Sequence, residues 1–283
     1  MSGKNAFVIG YPIKHSRSPL IHNYWLKEYN LTGSYTKLEI APGDLKTFLS
    51  NMESSIYCGG NVTIPHKEKT FEICVRTTET ARKIGAVNTI WLEDSQLCGD
   101  NTDVGGFLAN LDEEAPGWDA PCEKAAVIGA GGAARAILVG LASRGVRHVK
   151  ILNRTADRMR ALADEARVWG FQSVTTHLLA EPRAFSGEAL LVNATSLGMV
   201  GQPALSVDLD GLSKNAVVSD IVYAPLETAL LREAARRGHR TSSGLGMLLH
   251  QAAPGFERWF GVRPKVTPAL RDLIVDDLRQ ARP

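Results

Sequence analysis

The segment AAVIGAGGAARAILVGLASRG, residues 125–145, places an apolar strand, a glycine turn and a helix in direct succession. Its turn fits the pattern G-x-G-x-x-A, in which small residues allow a tight turn and let the helix pack closely on the strand. Backbone N–H groups then lie at a helix N-terminus, where a pyrophosphate binds. The following stretch, residues 146–155, supplies the second strand of a β-α-β unit. This pattern predicts a dinucleotide-binding turn, with a purely structural tight turn as the alternative. The candidate contact residues are Gly129, Ala130, Gly131, Gly132 and Ala133.

The end of that second strand indicates which dinucleotide the turn would bind. NAD enzymes usually carry Asp or Glu there to hold the ribose 2′-hydroxyl, and this chain has neither at that point. It carries Asn153, Arg154 and Thr155 instead, followed by Arg158. Two guanidinium groups can bind a 2′-phosphate through charge-assisted hydrogen bonds, and the Asn and Thr side chains add neutral donors. We predict NADP as the cofactor; the alternative is two solvated arginines at the start of a helix.

Strand and helix patterns alternate along most of the chain, which predicts an α/β fold with a partly parallel sheet in the first half. The first half reads as strands at 6–10, 34–40 and 59–64, a hairpin over 86–101, and helices from Ser18 and at 44–51, 67–76 and 79–84. The second half continues with a helix at 156–169, a strand near 173–177, another helix, strands at 189–195 and 216–223, and helices at 226–237 and after 244.

A change of composition divides the chain. Residues 112–123, DEEAPGWDAPCE, are rich in acidic residues, Pro and Gly and are typical of a connector. We predict two domains, which the length of 283 residues also favours. The first comprises residues 1–105 plus 245–283, an α/β substrate domain with a mixed, mostly parallel sheet. The second, residues 106–244, is a Rossmann-like NADP-binding domain, and we expect the active site between the two.

Composition excludes several classes of partner. The formal net charge is +2, and no run of Lys or Arg indicates binding to nucleic acid or to a membrane surface. No apolar run approaches the length of a membrane span, and the N-terminus enters a strand without the apolar core of a signal peptide. The four cysteines lie far apart without a C-x-x-C pair, which indicates reduced thiols, with a reactive thiol as the alternative. We therefore expect a cytoplasmic protein, monomeric or homodimeric, that binds a small molecule.

Four short polar segments follow or precede apolar strands in the first half: HSRSP (15–19), NVTIPHK (61–67), AVNT (86–89) and GDNTD (99–103). Strand ends are where open α/β sheets bind ligands. Each segment alone could be a turn or a cap; Ser18, for example, could simply cap a helix. Lys67 is unusual because the N-terminal end of a helix dipole repels cations. That lysine either points into water or has a functional role.

Eight motifs together resemble those of the shikimate dehydrogenase family. In order along the chain they are HSRSP, NVTIPHKE, GAVNT, GDNTD, GAGGAARA, NRT, NATSLGM and GLGMLLHQAA. The resemblance covers nearly the whole chain, and the first-half motifs are specific to that family. It implies an NADP-dependent oxidoreductase that reversibly reduces the ring ketone of 3-dehydroshikimate to shikimate, in the biosynthesis of aromatic amino acids.

The resemblance also implies the role of each site residue. Lys67 and Asp103 would form the catalytic pair, with Lys67 as general acid in reduction and general base in oxidation. The substrate would be held by its carboxylate at Ser16 and Ser18 and elsewhere by Asn61, Thr63, Asn88, Tyr223 and Gln251. Besides the glycine turn and Asn153–Arg158, the cofactor would contact Thr195, Ser196, Ile221, Gly244 and Met247. Ile221 stands where some members have Met, and Tyr11 stands where many have Asn.

No metal site is predicted, because none of the seven histidines has a metal-ligand spacing. His66, beside the lysine, is interpreted as a surface or pocket-wall residue. Three alternative functions stay open. They are a quinate/shikimate or aminoshikimate dehydrogenase, a methylenetetrahydrofolate dehydrogenase, and an NADPH-binding regulator without catalysis. The HSRSP and NVTIPHKE motifs argue against a pterin pocket, and the intact pair of Lys67 and Asp103 argues against a regulator.

Overall fold

The computed structural model describes residues 4–120, 122–181 and 184–280. Contacts within the chain divide these residues into two compact units. The first unit contains residues 4–102 and 251–280, and the second contains residues 103–250. Residues 1–3 and 281–283 of the predicted first domain lie outside the described residues.

The first unit is built on a six-stranded mixed sheet with strand order β2-β1-β3-β5-β6-β4. Strands β1, β2 and β3 are mutually parallel, whereas β5 runs antiparallel to β3 and forms a hairpin with β6. The elements are β1 Lys4–Gly10, α1 Ser18–Glu28, β2 Gly33–Glu39, α2 Leu45–Ser50, β3 Tyr57–Val62, α3 Lys67–Ile73, β4 Arg76–Thr77, α4 Glu79–Ile84, β5 Thr89–Glu93, β6 Gln96–Asp100 and the C-terminal α10 Pro268–Gln280.

Alternating side chains of β1 pack on opposite faces of this sheet, as a strand buried on both sides requires. Phe7 and Ile9 belong to a core formed with α2 and α4. Ala6 and Val8 belong to a second core with Tyr35 of β2 and with Trp259. Both faces of the strand are therefore covered, and only its ends are available for a ligand.

The second unit is built on a six-stranded parallel sheet with strand order β12-β11-β10-β7-β8-β9. Counted along the chain this is the order 3-2-1-4-5-6, which is that of a Rossmann fold. Its elements are α5 Asp103–Glu114, β7 Lys124–Ile128, α6 Gly132–Ser143, β8 His148–Asn153, α7 Ala156–Ala166, β9 Ser173–Leu178, β10 Leu190–Asn193, β11 Val217–Asp220, α8 Ala229–Arg236 and β12 Arg240–Ser242. Helix α9, Gly244–Phe260, begins in this unit and ends in the first one.

The central strand β7 is apolar throughout its length because both faces of the parallel sheet are covered. Ala125 and Val127 pack against α5, α6 and α7. Ala126 and Ile128 pack against α8 and the segment that contains Leu205 and Leu209. The predicted fold class, an α/β fold with one mixed sheet and one parallel Rossmann-like sheet, is confirmed.

Three local predictions are wrong, two in the first unit and one near the start of the second unit. Arg17, not Ser18, occupies the N-cap of α1, and Ser18 is the first helical residue. Helix α3 ends at Ile73 rather than near residue 76, because Cys74 is extended and the chain then pairs with β6. Residues 112–123 are not a free connector: the first three end α5, and Trp118 is buried with its Nε1 donating to Asp112 at 3.0 Å.

The helix predicted between β9 and β10 is absent from the residues described there, 179–181 and 184–189. Ala184 and Phe185 are buried in the core on the α8 side of the sheet instead. The carboxylate of Glu188 accepts a hydrogen bond from the backbone N–H of Ser186 and pairs with Lys150 of β8 at 2.8 Å. The apolar residues of this segment therefore fill the core from an irregular backbone.

Candidate active site

One edge of the first-unit sheet collects several of the predicted substrate residues. Strand β3 ends beside Asn61, and antiparallel β5 begins at the same edge because Asn61 pairs with Thr89. Strand β6 ends there too, since Thr89 pairs with Asp100. The polar residues before β5 and after β6 are thus brought next to the end of β3, as the sequence suggested.

A buried chain of hydrogen bonds joins the polar side chains at this edge. The amide nitrogen of Asn61 donates to the Asn88 carbonyl and to Thr89 Oγ1, both at 3.1 Å. Thr89 Oγ1 donates to Asn88 Oδ1 at 2.9 Å, and Asn88 Nδ2 donates to Thr102 Oγ1 at 3.0 Å. Thr102 Oγ1 donates in turn to the Gln251 carbonyl on α9 at 2.8 Å. These hydrogen bonds offset the free-energy cost of burying the polar groups. The bonded side chains can therefore be held in one orientation.

The two serines of HSRSP lie in the turn that leads into α1. Ser16 Oγ donates to Ser18 Oγ and accepts from the Ser18 backbone N–H, both at 3.3 Å. Arg17, between them, forms an ion pair with Asp277 on α10, so the turn is tied to the C-terminal helix. The two hydroxyl groups are close enough to bind one carboxylate together.

Lys67 is the first residue of α3, and its carbonyl accepts a 2.9 Å hydrogen bond from Val87 N. That bond fixes the start of α3 next to the segment that carries Asn88. The preceding His66 is buried, and its Nε2 bonds the Ile40 carbonyl at 2.7 Å. His66 is therefore a structural residue and not a surface one. Thr63 follows β3, and its backbone N–H donates to the Ile9 carbonyl at 2.9 Å.

A cleft of about 520 Å³ opens on the first unit, and none of the predicted substrate residues lines it. It lies beside Thr89 and Thr102, under the second half of α9. The remaining lining residues are Trp91, Asp100, Pro254, Glu257, Arg258 and Arg263.

The glycine turn of the second unit has the geometry expected of a phosphate-binding turn. Gly129 has a φ of +122°, and a Cβ there would come within 3.1 Å of Ala194 O. Gly131 is the N-cap of α6, and a Cβ added at Gly131 or Gly132 would meet no atom within 4 Å. The first glycine is thus required by the fold, whereas the next two leave open space at a helix N-terminus. A diphosphate fits such a space.

The predicted 2′-phosphate residues follow β8. Arg154 and Arg158 are exposed, and neither forms an ion pair with any described residue. The neighbouring Arg160, by contrast, lies 3.8 Å from Asp157. Asn153 Nδ2 donates to Thr155 Oγ1 at 2.9 Å, which fixes the loop between β8 and α7. Two guanidinium groups are therefore available to an anion at this strand end.

A buried carboxylate joins the two loops that carry the remaining cofactor candidates. Asp220, fully buried at the end of β11, accepts from Asn193 Nδ2 at 2.9 Å, Val222 N at 3.0 Å and Thr228 Oγ1 at 2.7 Å. Burial raises the pKa of Asp220, and these three donors oppose the shift. Asn193 Oδ1 accepts from both the N–H and the hydroxyl of Thr195. The loop after β10 is thus fixed to the loop after β11, which carries Tyr223.

Three further cofactor candidates lie together. A Cβ at Gly244 would come within 2.1 Å of the Ile221 carbonyl, so only glycine fits at the start of α9. Met247 is buried in the core on the α5 side of the sheet, and Ile221 packs against that core.

Ser196 is exposed beside Thr195, whereas Asp103 is buried at the start of α5.

Sequence reasoning missed the residues that hold these candidates in place. In the first unit they are Tyr35, whose hydroxyl donates to Asn61 Oδ1 at 2.6 Å, together with Thr89 and Thr102. In the second unit they are Asp220 and Thr228. Polar residues at the ends of β6 and β11 could have indicated Thr102 and Asp220 in the sequence. Tyr35 gave no such signal, because it lies in a strand with an ordinary alternating pattern.

All four cysteines are free. Burial, with a smaller contribution from Cys98, raises the pKa of Cys74 to about 12, and burial together with Asp119 raises that of Cys122 to about 12. A thiol with such a pKa stays protonated and is a poor nucleophile. Within the described ranges, no cluster of three His, Cys, Asp or Glu residues could hold a metal ion, and no helix is both long and apolar enough to cross a membrane.

Comparison with known proteins gives consistent matches along the chain. Residues 8–90 match the shikimate dehydrogenase substrate binding domain, residues 114–185 match the shikimate / quinate 5-dehydrogenase family, and residues 244–271 match the shikimate 5'-dehydrogenase C-terminal domain. The shikimate dehydrogenase (NADP(+)) of Methylocella silvestris is 52% identical over 280 residues, which are 98% of this chain and 97% of that protein.

Solved structures show the same similarity. The shikimate 5-dehydrogenase of Thermus thermophilus, crystallised with NADP(H) and shikimate, is 32% identical with a TM-score of 0.82, over 99% of this chain and all of that one. The quinate dehydrogenase of Corynebacterium glutamicum, crystallised with NAD, is 28% identical with a TM-score of 0.88, over 98% of this chain and all of that one.

Proposed function

Because this chain belongs to the shikimate dehydrogenase family, we propose that it is an NADP-dependent shikimate dehydrogenase, which reversibly reduces 3-dehydroshikimate to shikimate. The observation that carries the proposal is the polar edge of the first-unit sheet. Asn61 and Asn88 are buried there in a hydrogen-bonded chain, and the Val87–Lys67 bond holds the start of α3 beside them. Amides and hydroxyls at a strand edge suit a ligand that carries several hydroxyl groups.

The substrate carboxylate binds at the start of α1. The hydroxyl groups of Ser16 and Ser18, 3.3 Å apart, donate hydrogen bonds to its two oxygens. Thr63, Asn88 and Gln251 bond or surround the ring hydroxyls, and Tyr223, in the loop after β11, is a further substrate residue. A site that bonds a hydroxyl rejects an analogue without it, because its own polar groups would be left unpaired.

Lys67 moves the proton of the reaction. NADPH, when bound, supplies a hydride to the carbonyl carbon of 3-dehydroshikimate. The ketone oxygen gains negative charge as the carbon is reduced, and Lys67 Nζ gives it a proton, so that a hydroxyl group is formed. In the oxidation of shikimate, the neutral amine accepts that proton again. Asp103 orients the amine.

The cofactor binds along the C-terminal ends of the parallel strands. Gly129, Ala130 and the open positions Gly131 and Gly132 receive its diphosphate at the N-terminus of α6, next to Ala133. The exposed groups of Arg154 and Arg158 bind the 2′-phosphate, with Asn153 and Thr155 shaping the loop. The remaining contact residues are Thr195, Ser196, Ile221, Gly244 and Met247.

The chain acts in the cytoplasm as a monomer or homodimer, without nucleic acid. Four free cysteines and a reaction that uses NADPH support a reducing compartment. The predicted domains, 1–105 plus 245–283 and 106–244, bind substrate and cofactor respectively.

A comparison of four substrate and cofactor pairs tests the proposal. Purified protein is given shikimate or quinate, each with NADP or NAD, and the formation of reduced cofactor is followed by absorbance at saturating and limiting concentrations. Shikimate with NADP should give the highest kcat/KM. A preference for quinate would favour the activity named for the Corynebacterium protein, and a preference for NAD would contradict the role of Arg154 and Arg158. Cofactor binding without turnover of either substrate would indicate a regulator.

A further inference from the structure

The hydroxyl of Tyr35 reaches across one strand of the first-unit sheet to a predicted substrate residue. Tyr35 lies on β2 and pairs with Ala6 of β1, whereas Asn61 lies on β3 and pairs with Val8. Strand β1 separates β2 from β3, and the Tyr35 ring packs on the same face as Ala6 and Val8. The small Ala6 side chain leaves room for the ring, so Tyr35 Oη comes within 2.6 Å of Asn61 Oδ1.

The direction of every bond around Asn61 follows from groups that can only accept. The Asn88 carbonyl is such a group, so the Asn61 atom facing it at 3.1 Å must be the amide nitrogen. Asn61 Oδ1 therefore faces Tyr35, and the phenol must be the donor. Burial raises the pKa of Tyr35 well above its usual range, with Asn61 and Ser18 opposing the shift, so the phenol keeps its proton.

Both hydrogens of the Asn61 amide are already used. One goes to the Asn88 carbonyl and the other to Thr89 Oγ1. Thr89 passes its own proton to Asn88 Oδ1, which also accepts from Thr102 N at 2.9 Å. A ligand can therefore find only a lone pair of Oδ1 on Asn61, and the bond from Tyr35 holds that oxygen in place.

We infer that Tyr35 is a positioning residue of the substrate site: its hydroxyl proton holds Asn61 Oδ1 in place, so that Asn61 offers the substrate an acceptor at a fixed position. The inference rests on the proposed function, because the ligand is the hydroxylated ring of shikimate. It predicts that Asn61 recognises the hydrogen of a ring hydroxyl. Without the phenol proton, Asn61 Oδ1 loses the bond that fixes its position, so the substrate hydroxyl meets a less well-placed acceptor.

Replacing Tyr35 with Phe keeps the ring and removes this donor, together with the smaller interaction of the phenol with Ser18. The expected result is a KM for shikimate that rises about tenfold, which corresponds to one lost hydrogen bond to a buried group. The kcat and the KM for NADP should change less than twofold. Tyr57→Phe is a matched control, because Tyr57 is on the same strand as Asn61 and its hydroxyl bonds no described residue. A KM for shikimate that stays unchanged in Tyr35→Phe would overturn the inference.

A double-mutant cycle separates positioning from a structural role. If Tyr35 acts through Asn61, Tyr35→Phe should add nothing to the effect of Asn61→Ala on the KM for shikimate. Adding Tyr35→Phe should also leave the Tm of the Asn61→Ala variant unchanged. This comparison between the single and the double variant can be made even if Tyr35→Phe alone folds poorly. A further rise in KM or a further fall in Tm in the double variant would contradict the inference. Wild-type protein that does not oxidise shikimate would instead contradict the proposed function.

Discussion

The imidazole ring of His22 stacks on the phenol ring of Tyr35, with ring centroids 4.0 Å apart and planes 11° from parallel. Trp25, Phe256 and Trp259 surround the same imidazole. His22 is fully buried, and neither ring nitrogen has a hydrogen-bond partner among the described residues. Burial therefore lowers the pKa of His22 to about 3, and the side chain of Asn61 only partly opposes the shift.

This histidine should make the protein sensitive to acid. The unfolded chain binds a proton at His22 below its ordinary pKa of 6.5, whereas the folded protein does so only near pH 3. Between these values the unfolded state binds more protons, so the stability contributed by a neutral His22 is complete above pH 6.5 and is lost as pH falls. The loss reaches about 3 kcal/mol at pH 4.5.

Urea unfolding at pH 7 and pH 4.5 measures that loss. The His22→Phe variant should lose about 3 kcal/mol less than wild type between the two pH values, because Phe keeps the stacked ring and cannot bind a proton. Replacement of the exposed His15 by Gln is the control and should leave the wild-type difference in place. An identical loss in wild type and His22→Phe would contradict the prediction.

Lys67→Ala should abolish most of the turnover. Removal of the general acid and base is expected to lower kcat for shikimate oxidation by about 10²- to 10⁴-fold, while the protein stays folded. Lys69→Ala is a matched control on the same helix, because Lys69 is exposed and pairs with Glu72 on the surface. Turnover of Lys67→Ala within a few-fold of wild type would show that another group moves the proton.

Arg154→Ala should impair NADP and spare NAD. Loss of a charge-assisted bond to the 2′-phosphate is expected to raise the KM for NADP by about 10- to 100-fold. The kcat/KM with NAD, which lacks this phosphate, should stay within twofold of wild type. Arg160→Ala on the following helix α7, where Arg160 lies near Asp157, should change neither value. Equal losses with both cofactors would indicate that Arg154 supports the loop and does not select the cofactor.

The parts of the fold that local sequence determines were predicted well. The glycine turn after β7 and the continuous apolar run of β1 depend on neighbouring residues, so the sequence contains their whole signal. Helix α5 was missed because Gly105 and Gly106 lower its helix propensity. It forms because Val104 and Leu108 pack against Gly140 of α6, a contact between distant parts of the chain.

The supporting residues of the candidate site depend on sheet order, which a single sequence does not contain. The Tyr35–Asn61 bond exists because β1 lies between β2 and β3 and brings residues that are 26 positions apart in the sequence close together. The buried carboxylate of Asp220 likewise joins two loops that follow neighbouring parallel strands. Motifs therefore identified residues expected to contact a ligand, whereas the residues that orient them became visible only in three dimensions.

Thr228→Val should weaken both the second unit and its affinity for the cofactor. Thr228 Oγ1 donates to Asp220 and also caps α8 by accepting from Leu231 N at 3.3 Å. Valine has the same shape but no hydroxyl, so the buried carboxylate loses a donor and the helix loses its cap. The expected cost is about 2 kcal/mol in the free energy of unfolding.

The same substitution tests whether Asp220 orders the cofactor loops. Asp220 holds Asn193, which fixes Thr195, so the KM for NADP should rise several-fold in Thr228→Val while the KM for shikimate changes less. Thr228→Ser keeps the hydroxyl and should retain the wild-type KM for NADP, even if the lost methyl group lowers stability. If Thr228→Ser and Thr228→Val raise that KM equally, the effect comes from packing and not from the hydrogen bond to Asp220.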